Sequence, residues 1–337
     1  MKKLFFGILA MAAMAACATD ETVVASKGDA IEFGNAFVDS SVRVAVGEAA
    51  DPSYGPLEKQ ADLTQFNVYG AVNGVNIFNG NLVKKESADY GEAWTLSGTP
   101  QYWISKGSYI FDAVVDATRV TTDTATATGL PTSLYYEVAG QKDMLHARFT
   151  TTGKPDGDGI VAFTFPHLLS KVKFTVENTT AAGASNYRYR VSDITLTNVY
   201  TQGECAVPNH TWSEQKVGTY SIAEMIVNSA STEECTAEVL LIPGTEVGIS
   251  FILHIEMSND NWATVTEVPM SDADSKKAYT AVVTLEANKA YNLKATVSLG
   301  DPIQFTATEM GSWDNGNTAD TDNPADGTND IVPVPAN

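Results

Sequence analysis

The chain has 337 residues, of which 44% are hydrophobic and 18% charged, and its 41 Asp and Glu outnumber 21 Lys and Arg to give a formal net charge of −20. Binding to a nucleic-acid backbone is excluded, because neutralising phosphates requires clustered Lys and Arg. The charged fraction is below the roughly 25% that is typical of soluble domains, and this composition favours an exported β protein.

The first 16 residues predict a signal peptide. Lys2 and Lys3 precede an apolar run of 13 residues, Leu4–Ala16, which is shorter than the about 20 residues that a membrane span needs. The run leads through Met14, Ala15 and Ala16 into Cys17, which resembles the lipobox of bacterial lipoproteins. We therefore predict that Cys17 is lipidated and becomes the N-terminus of the mature chain. The alternative is an ordinary signal peptide followed by an unrelated cysteine.

From residue 33 onward, apolar residues alternate with polar ones in short runs that Gly, Asn, Asp, Ser or Pro separate. This period of two predicts half-buried strands, and the absence of long amphipathic segments between them favours antiparallel sandwiches. The clearest inward-facing sets are Phe66, Val68 and Val72; Tyr109, Phe111, Ala113 and Val115; Val161, Phe163 and Phe165; Val172, Phe174 and Val176; Ile249, Phe251, Leu253, Ile255 and Met257; and Tyr291, Leu293, Ala295, Val297 and Leu299. Ser221 and Glu224 form a capping box that predicts a short helix before Met225 and Ile226.

A polar segment divides the strand-rich region into two parts of ordinary domain size. Residues 150–159 carry no core-forming side chain, and we place the boundary between residues 155 and 156. The expected domains are therefore an N-terminal β-sandwich over residues 44–155 and a C-terminal β-sandwich over residues 156–313. Residues 314–337 form an acidic tail with five Asp and no Lys or Arg, too polar to fold alone. The apolar residues Ile331, Val332 and Val334 near its end predict a partner groove.

Two cysteines remain after Cys17. Cys205 and Cys235 could form a disulfide in an exported protein, or both could be free and buried. The four histidines, His146, His167, His210 and His254, have no metal-ligand spacing, and neither a serine nucleophile elbow nor a phosphate-binding loop is present. We predict no enzymatic activity, metal or cofactor.

Several fragments, in this order, resemble the fimbrillins, the type V pilins of Bacteroidales, over nearly the whole mature chain. The fragments are Ile31-Glu-Phe-Gly-Asn-Ala-Phe37, Ser41-Val-Arg43, Phe66-Asn-Val-Tyr-Gly70, Ile77-Phe-Asn79, Tyr102-Trp-Ile104, Tyr109-Ile-Phe-Asp-Ala113, Asp143-Met-Leu-His-Ala147, Phe165-Pro-His-Leu-Leu-Ser-Lys-Val172, Ile242-Pro-Gly244, Tyr291-Asn-Leu293, Ile303-Gln-Phe305 and Trp313. The resemblance implies two transthyretin-like β-sandwich domains.

The resemblance also implies a route to the cell surface. Fimbrillins are exported as lipoproteins to the outer membrane, and an arginine-specific protease then removes the lipidated N-terminal segment. Arg43 occupies the matching position, so residues 17–43 would be a propeptide and Val44 the new N-terminus. The local sequence Ser41-Val-Arg-Val44 differs from the Thr-Arg-Ala that is typical of the family.

Withdrawal of the first strand would have a physical consequence. If residues 30–42 complete the N-terminal sandwich through Ile31, Phe33 and Phe37, their removal exposes an apolar groove and unpaired backbone groups. A segment near residues 328–334 of another molecule could then add as a donor strand, giving a head-to-tail homopolymer. Pro333 and Pro335 lack N–H donors and limit the length of such a strand.

The predicted function is therefore a structural subunit of an extracellular fimbria used for adhesion, with an unidentified receptor. One alternative is an anchor or accessory subunit that keeps its lipid and stays at the outer membrane. A second is a surface lipoprotein that binds glycans through the aromatic residues Trp94, Tyr102, Trp103 and Trp262.

Overall fold

The computed structural model describes residues 30–38, 63–85, 93–180, 186–228, 234–299 and 301–312. Within these ranges the chain is almost entirely β, which confirms the predicted all-β sandwich class. The strands are β1 (Glu32–Val38), β2 (Gln65–Val72), β3 (Val75–Lys84), β4 (Thr95–Leu96), β5 (Ser108–Val115), β6 (Arg119–Thr122), β7 (Pro131–Glu137), β8 (Leu145–Thr152), β9 (Ile160–Phe165), β10 (Ser170–Asn178), β11 (Tyr187–Ala206), β12 (Thr211–Ser221), β13 (Met225–Asn228), β14 (Glu234–Leu241), β15 (Glu246–Met257), β16 (Thr266–Val268), β17 (Lys276–Thr284), β18 (Lys289–Val297) and β19 (Gln304–Ser312). A 3₁₀ turn spans Val138–Gly140, and a one-turn helix, α1, spans Asp272–Ser275.

These strands form four sheets. A two-stranded sheet pairs β1 with β9, and a five-stranded sheet has the order β4-β3-β2-β5-β8. A four-stranded sheet has the order β14-β10-β18-β19. The eight-stranded sheet runs β16-β15-β11-β7-β6, and in it β12 and β13 also pair with β11 while β17 pairs with β15.

The first apolar core lies between the β1–β9 pair and the five-stranded sheet. The predicted inward-facing residues of β2, β5 and β9 all belong to it, because alternate side chains of a strand point to the same face. Its buried members are Ile31, Phe33, Leu63, Phe66, Val68, Val72, Phe78, Val83, Trp103, Tyr109, Phe111, Ala113, Val115, Leu145, Ala147, Val161, Phe163 and Phe165.

The second core is built mainly from the four-stranded and eight-stranded sheets. The predicted sets on β10, β15 and β18 contribute to it, including Phe174, which lies 5.7 Å from Phe251 between ring centroids. Tyr279 on β17 stacks on Phe305 on β19 at 4.2 Å. Leu299 departs from its predicted set, because β18 ends at Val297 and the Leu299 side chain is 41% exposed.

The division between the two cores does not coincide with the predicted boundary at residues 155 and 156. β9 follows that boundary, yet Val161, Phe163 and Phe165 pack in the first core. β7 precedes it, yet β7 pairs with β11, and its Leu134 packs in the second core. The polar segment before Gly159 is therefore a loop between strands that contribute to one core.

The predicted helix after Ser221 is wrong. Met225–Asn228 forms β13, which pairs antiparallel with β11 from Val191↔Met225 to Arg188↔Asn228. Met225 and Val227 are buried while Ile226 is exposed, a period of two that suits a strand and not a helix. Pairing with a long neighbouring strand has outweighed a local capping signal.

Candidate functional site

The candidate site is the surface that β1 occupies, formed by the edge of β9 and the adjoining side chains of the first core. We call this surface the seat of β1. β1 is the strand predicted to be displaced. β1 runs parallel to β9 with the register Glu32↔Ile160, Phe33↔Val161 and Gly34↔Ala162. Among the described residues, β9 is its only strand partner, apart from one bridge between Ala30 and Tyr102. β1 is therefore an edge strand among the described residues.

Phe33 is the principal contact of β1 with the first core. Its side chain is 5% exposed, and its ring lies within 5.5–6.5 Å of four others, measured between centroids. The four rings belong to Phe66 on β2, Phe78 on β3, Phe111 on β5 and Phe163 on β9. β1 therefore connects both layers of the first core through one side chain. We call the surface formed by these four rings the Phe33 pocket.

Ile31 and Phe37 are the other two residues predicted to complete the N-terminal sandwich. Ile31 is 3% exposed, and its N–H donates to the carbonyl of Gln101 over 2.8 Å. Phe37 lies in β1 opposite Thr164, but its side chain is outside the described ones. Glu32 lies between the buried residues Ile31 and Phe33 and is exposed, as the alternation along a half-buried strand requires.

Gly34 limits which sequences can occupy the seat. A Cβ at this position would lie 2.9 Å from Cγ2 of Ile160, closer than such atoms approach one another. The register between β1 and β9 also shifts between Gly34 and Phe37, which marks a bulge. In the register that β1 adopts, the seat therefore takes a bulky apolar residue followed directly by a residue without a side chain.

The remaining predicted processing and donor residues lie outside the described ones. These are Cys17, Arg43, Val44, Ile331, Val332 and Val334. Arg43 belongs to the segment between Val38, the last residue of β1, and Leu63 before β2. Cleavage there would separate β1 from the rest of the chain covalently.

Cys205 is a free, buried cysteine on β11, in accord with the second of the two alternatives for this residue. Burial raises the pKa of its thiol to about 12, so the thiol is unreactive at neutral pH. The side chain of Cys235, on β14 opposite Val176, is outside the described ones.

The aromatic residues considered for glycan binding do not lie on one exposed face. Trp103 is buried in the first core, 4.7 Å from Tyr109 between ring centroids. Trp94 packs 5.2 Å from Phe66, and Trp262 lies under the Arg188 guanidinium at 4.4 Å. Tyr102 is 43% exposed beside β1.

A buried polar cluster on β5 and β8 is a feature that sequence reasoning missed. Asp112 accepts hydrogen bonds from Nε and Nη2 of Arg148, both at 2.7 Å, and lies 3.0 Å from Nε2 of His146. Nδ1 of His146 is in turn 2.9 Å from Nε2 of His210. Burial raises the pKa of Asp112, but the bonds from His146 and Arg148 outweigh it and bring the pKa below its usual value. The sequence signal that could have indicated this cluster is the single aspartate, Asp112, inside the apolar run Tyr109–Val115.

Within the described ranges, no three His, Cys, Asp or Glu side chains are grouped as metal ligands. Among the same residues no helix has the length and apolarity to cross a membrane.

The chain belongs to the fimbrillin-like family, because the model of that family matches residues 58–313. This match confirms the resemblance carried by the ordered fragments.

A solved fimbrial structure with a TM-score above 0.5 shares the fold, and two others are similar at lower scores. A fimbrial protein from Bacteroides vulgatus has a TM-score of 0.55 and 11% identity, over 83% of this chain and 99% of that one. The tip fimbrial protein Mfa3 from Porphyromonas gingivalis, with a C-terminal truncation, has a TM-score of 0.37 and 13% identity, over 76% and 96% of the two chains. A fimbrial assembly protein from Parabacteroides distasonis has a TM-score of 0.39 and 14% identity, over 77% and 92%. No curated protein matches the chain.

Proposed function

We propose that this protein is a structural subunit of a cell-surface fimbria that is exported as a lipoprotein, cut after Arg43 and polymerised by strand exchange for adhesion. Membership of the fimbrillin-like family supports the role of a fimbrial subunit. The observation that carries strand exchange is the seat of β1, which pairs with β9 and fills the Phe33 pocket.

Removal of β1 would leave two kinds of unsatisfied surface. Phe66, Phe78, Phe111 and Phe163 would lose their common neighbour, and β9 would lose its only partner strand among the described residues. Losing a buried phenylalanine from a core costs about 3–5 kcal/mol. An open strand edge beside an apolar pocket recruits an extended segment from another molecule.

The proposed donor is the C-terminal tail of a second copy. Ile331, Val332 and Val334 are the apolar residues at its end, and the polar residues before them form a tether. Each of these side chains is smaller than Phe33. A donor whose contacts are repeated from copy to copy produces an open head-to-tail filament.

Lipidation and proteolysis order the steps in this proposal. Lipid on Cys17 holds the precursor at the outer membrane while β1 keeps the first core closed. A protease specific for arginine then cuts between Arg43 and Val44, outside the strand itself. β1 is thereafter held only by noncovalent contacts and can be exchanged.

The first test is the mass and N-terminal sequence of the protein taken from its native cell surface. We expect an N-terminus at Val44, no lipid, and high-mass polymers. Arg43→Lys should retain acylated Cys17 and form no polymers, while the control Arg119→Lys, at an exposed arginine paired with Glu204, should behave like the unaltered chain. Deletion of residues 328–337 should permit cleavage but prevent polymerisation.

An acylated Cys17 on the unaltered surface protein would contradict the processed-subunit proposal. That result would instead support an anchor or accessory lipoprotein that keeps β1 in place. Polymerisation after loss of residues 328–337 would refute the tail as donor.

A further inference from the structure

One face of the five-stranded sheet carries a buried polar cluster beside apolar residues. Phe111, Ala113 and Ala147 point to the first core, so Asp112, Val114, His146 and Arg148 on β5 and β8 point to the opposite face. Asp112 is opposite Arg148, and Val114 is opposite His146. Asp112 and His146 are nevertheless 0% and 1% exposed, so another part of the molecule covers them.

The covering element includes the tip of the β11–β12 hairpin. β11 ends at Ala206 and β12 begins at Thr211, so His210 lies in the turn, with a left-handed φ of 53°. The N–H of Val207 donates to the carbonyl of Thr132, which ties the tip to the start of β7. Across the sheet face, Nε2 of His210 meets Nδ1 of His146 at 2.9 Å, and the rings are nearly perpendicular.

We propose that His146 and His210 form an acid-released latch that fixes the tip of the β11–β12 hairpin against the five-stranded sheet. The proposal goes beyond the fimbrial function and does not depend on strand exchange.

The hydrogen-bond chemistry of the latch depends on protonation. Asp112 is anionic between Arg148 and His146, so Nε2 of His146 carries a proton and donates to it. The bond between Nδ1 of His146 and Nε2 of His210 needs one proton shared by two nitrogens. If both rings are imidazolium ions, both nitrogens carry a proton and the bond cannot form. The closed latch therefore holds fewer protons than the open one.

On balance, the surroundings of His210 lower its pKa and favour the neutral ring. Burial lowers the pKa of His210 to about 4, and the charges of His146 and Arg148 on β8 lower it further while Asp112 on β5 raises it. β7 pairs with this end of β11 through the uncharged residues Ser133 and Leu134.

The size of the effect follows from linkage. A histidine whose folded pKa is depressed stabilises the closed form above its ordinary pKa of about 6.5, and this stabilisation is lost as the pH falls towards about 4. Between neutral pH and pH 5, the equilibrium between open and closed latch should shift up to about 30-fold towards the open form. Solvent screening of the half-exposed ring makes this an upper bound.

Hydrogen exchange in the full chain tests the latch. After correction for intrinsic exchange rates, protection of the amides of residues 206, 207 and 209–212 should fall about 10-fold to 30-fold between pH 7.5 and pH 5.0, more than in β2 or β3. His210→Gln keeps a donor and an acceptor but does not titrate, so its protection should not change with pH. The matched control His254→Gln, at a histidine of β15 that lies opposite Arg190 and pairs with Glu267 on β16, far along β11 from the hairpin tip, should lose protection like the unaltered chain.

A second measurement does not need a variant. A titration of the His210 ring by NMR should give a pKa well below the ordinary histidine value. An ordinary value, or equal loss of protection in the unaltered chain and in His210→Gln, would overturn the proposal.

Discussion

Phe33 should contribute more stability than any other side chain of β1 whose surroundings are described, because its ring contacts four phenylalanines from both layers of the first core. Phe33→Ala in the uncut chain should lower the free energy of unfolding by about 3–5 kcal/mol. The control is Glu32→Ala, an exposed neighbour in the same strand, for which we expect a change within about 0.5 kcal/mol. Chemical denaturation of the three proteins measures both. Equal losses for the two variants would contradict the assigned role of the Phe33 pocket.

Gly34 should be intolerant of even one methyl group. Its added Cβ would meet Cγ2 of Ile160, which is fixed on a β-branched side chain of the paired strand. Gly34→Ala should therefore cost about 1–3 kcal/mol, and Ile160→Ala should remove most of that cost in the double variant. The control is Gly140→Ala, where an added Cβ meets nothing within 4 Å, and it should be neutral or slightly stabilising. Additive effects at Gly34 and Ile160 would refute the steric explanation.

At the scale of strands and helices, the alternation of apolar and polar residues predicted which side chains are buried. The sequence did not predict which strands pair with one another. The apolar positions of β2, β5, β9, β10 and β15 could be read from a period of two, because burial on one face leaves that pattern in the residues. The capping box at Ser221 is a local signal, and it was overridden when Met225 and Val227 paired with β11. Which strands are neighbours is not encoded locally, so Asp112 could not be matched with Arg148 in advance.

The pairing of β5 with β8 leads to a prediction about its buried ions. Arg148→Ala should lower the free energy of unfolding by about 3–5 kcal/mol, because the fully buried Asp112 loses its bidentate partner. The control Arg119→Ala removes an exposed partner of Glu204 and should cost at most about 1 kcal/mol. Because the pKa of Asp112 is lowered in the fold, its stabilisation is present above the ordinary value of 3.8 and is lost as the pH falls below that value. Denaturation at pH 7 and pH 3 should therefore show a smaller difference between Arg148→Ala and the unaltered chain at pH 3.

At the scale of the whole molecule, the boundary predicted from loop composition does not separate the residues of the two apolar cores. The polar run before Gly159 looked like a linker between domains because it carries no core-forming residue. Yet β9 beyond it returns to pair with β1, a contact between residues more than a hundred positions apart. Such a parallel pairing leaves no local mark in the sequence. The order of many weak fragments did indicate the family, because it sums information along the whole chain.

This long-range pairing makes assembly sensitive to a short peptide. If polymerisation requires an empty β1 seat, a peptide of residues 30–38 added to protein cut after Arg43 should refill the seat and stop filament growth. The same peptide with Phe33→Ala should inhibit at least about 10-fold less, because it cannot fill the Phe33 pocket. The peptide with Gly34→Val should also fail, because its side chain meets Ile160. Light scattering or electron microscopy would follow filament growth, and peptide binding to the cut protein would be measured separately. A peptide that binds without slowing growth would show that copies join through a surface other than the seat of β1.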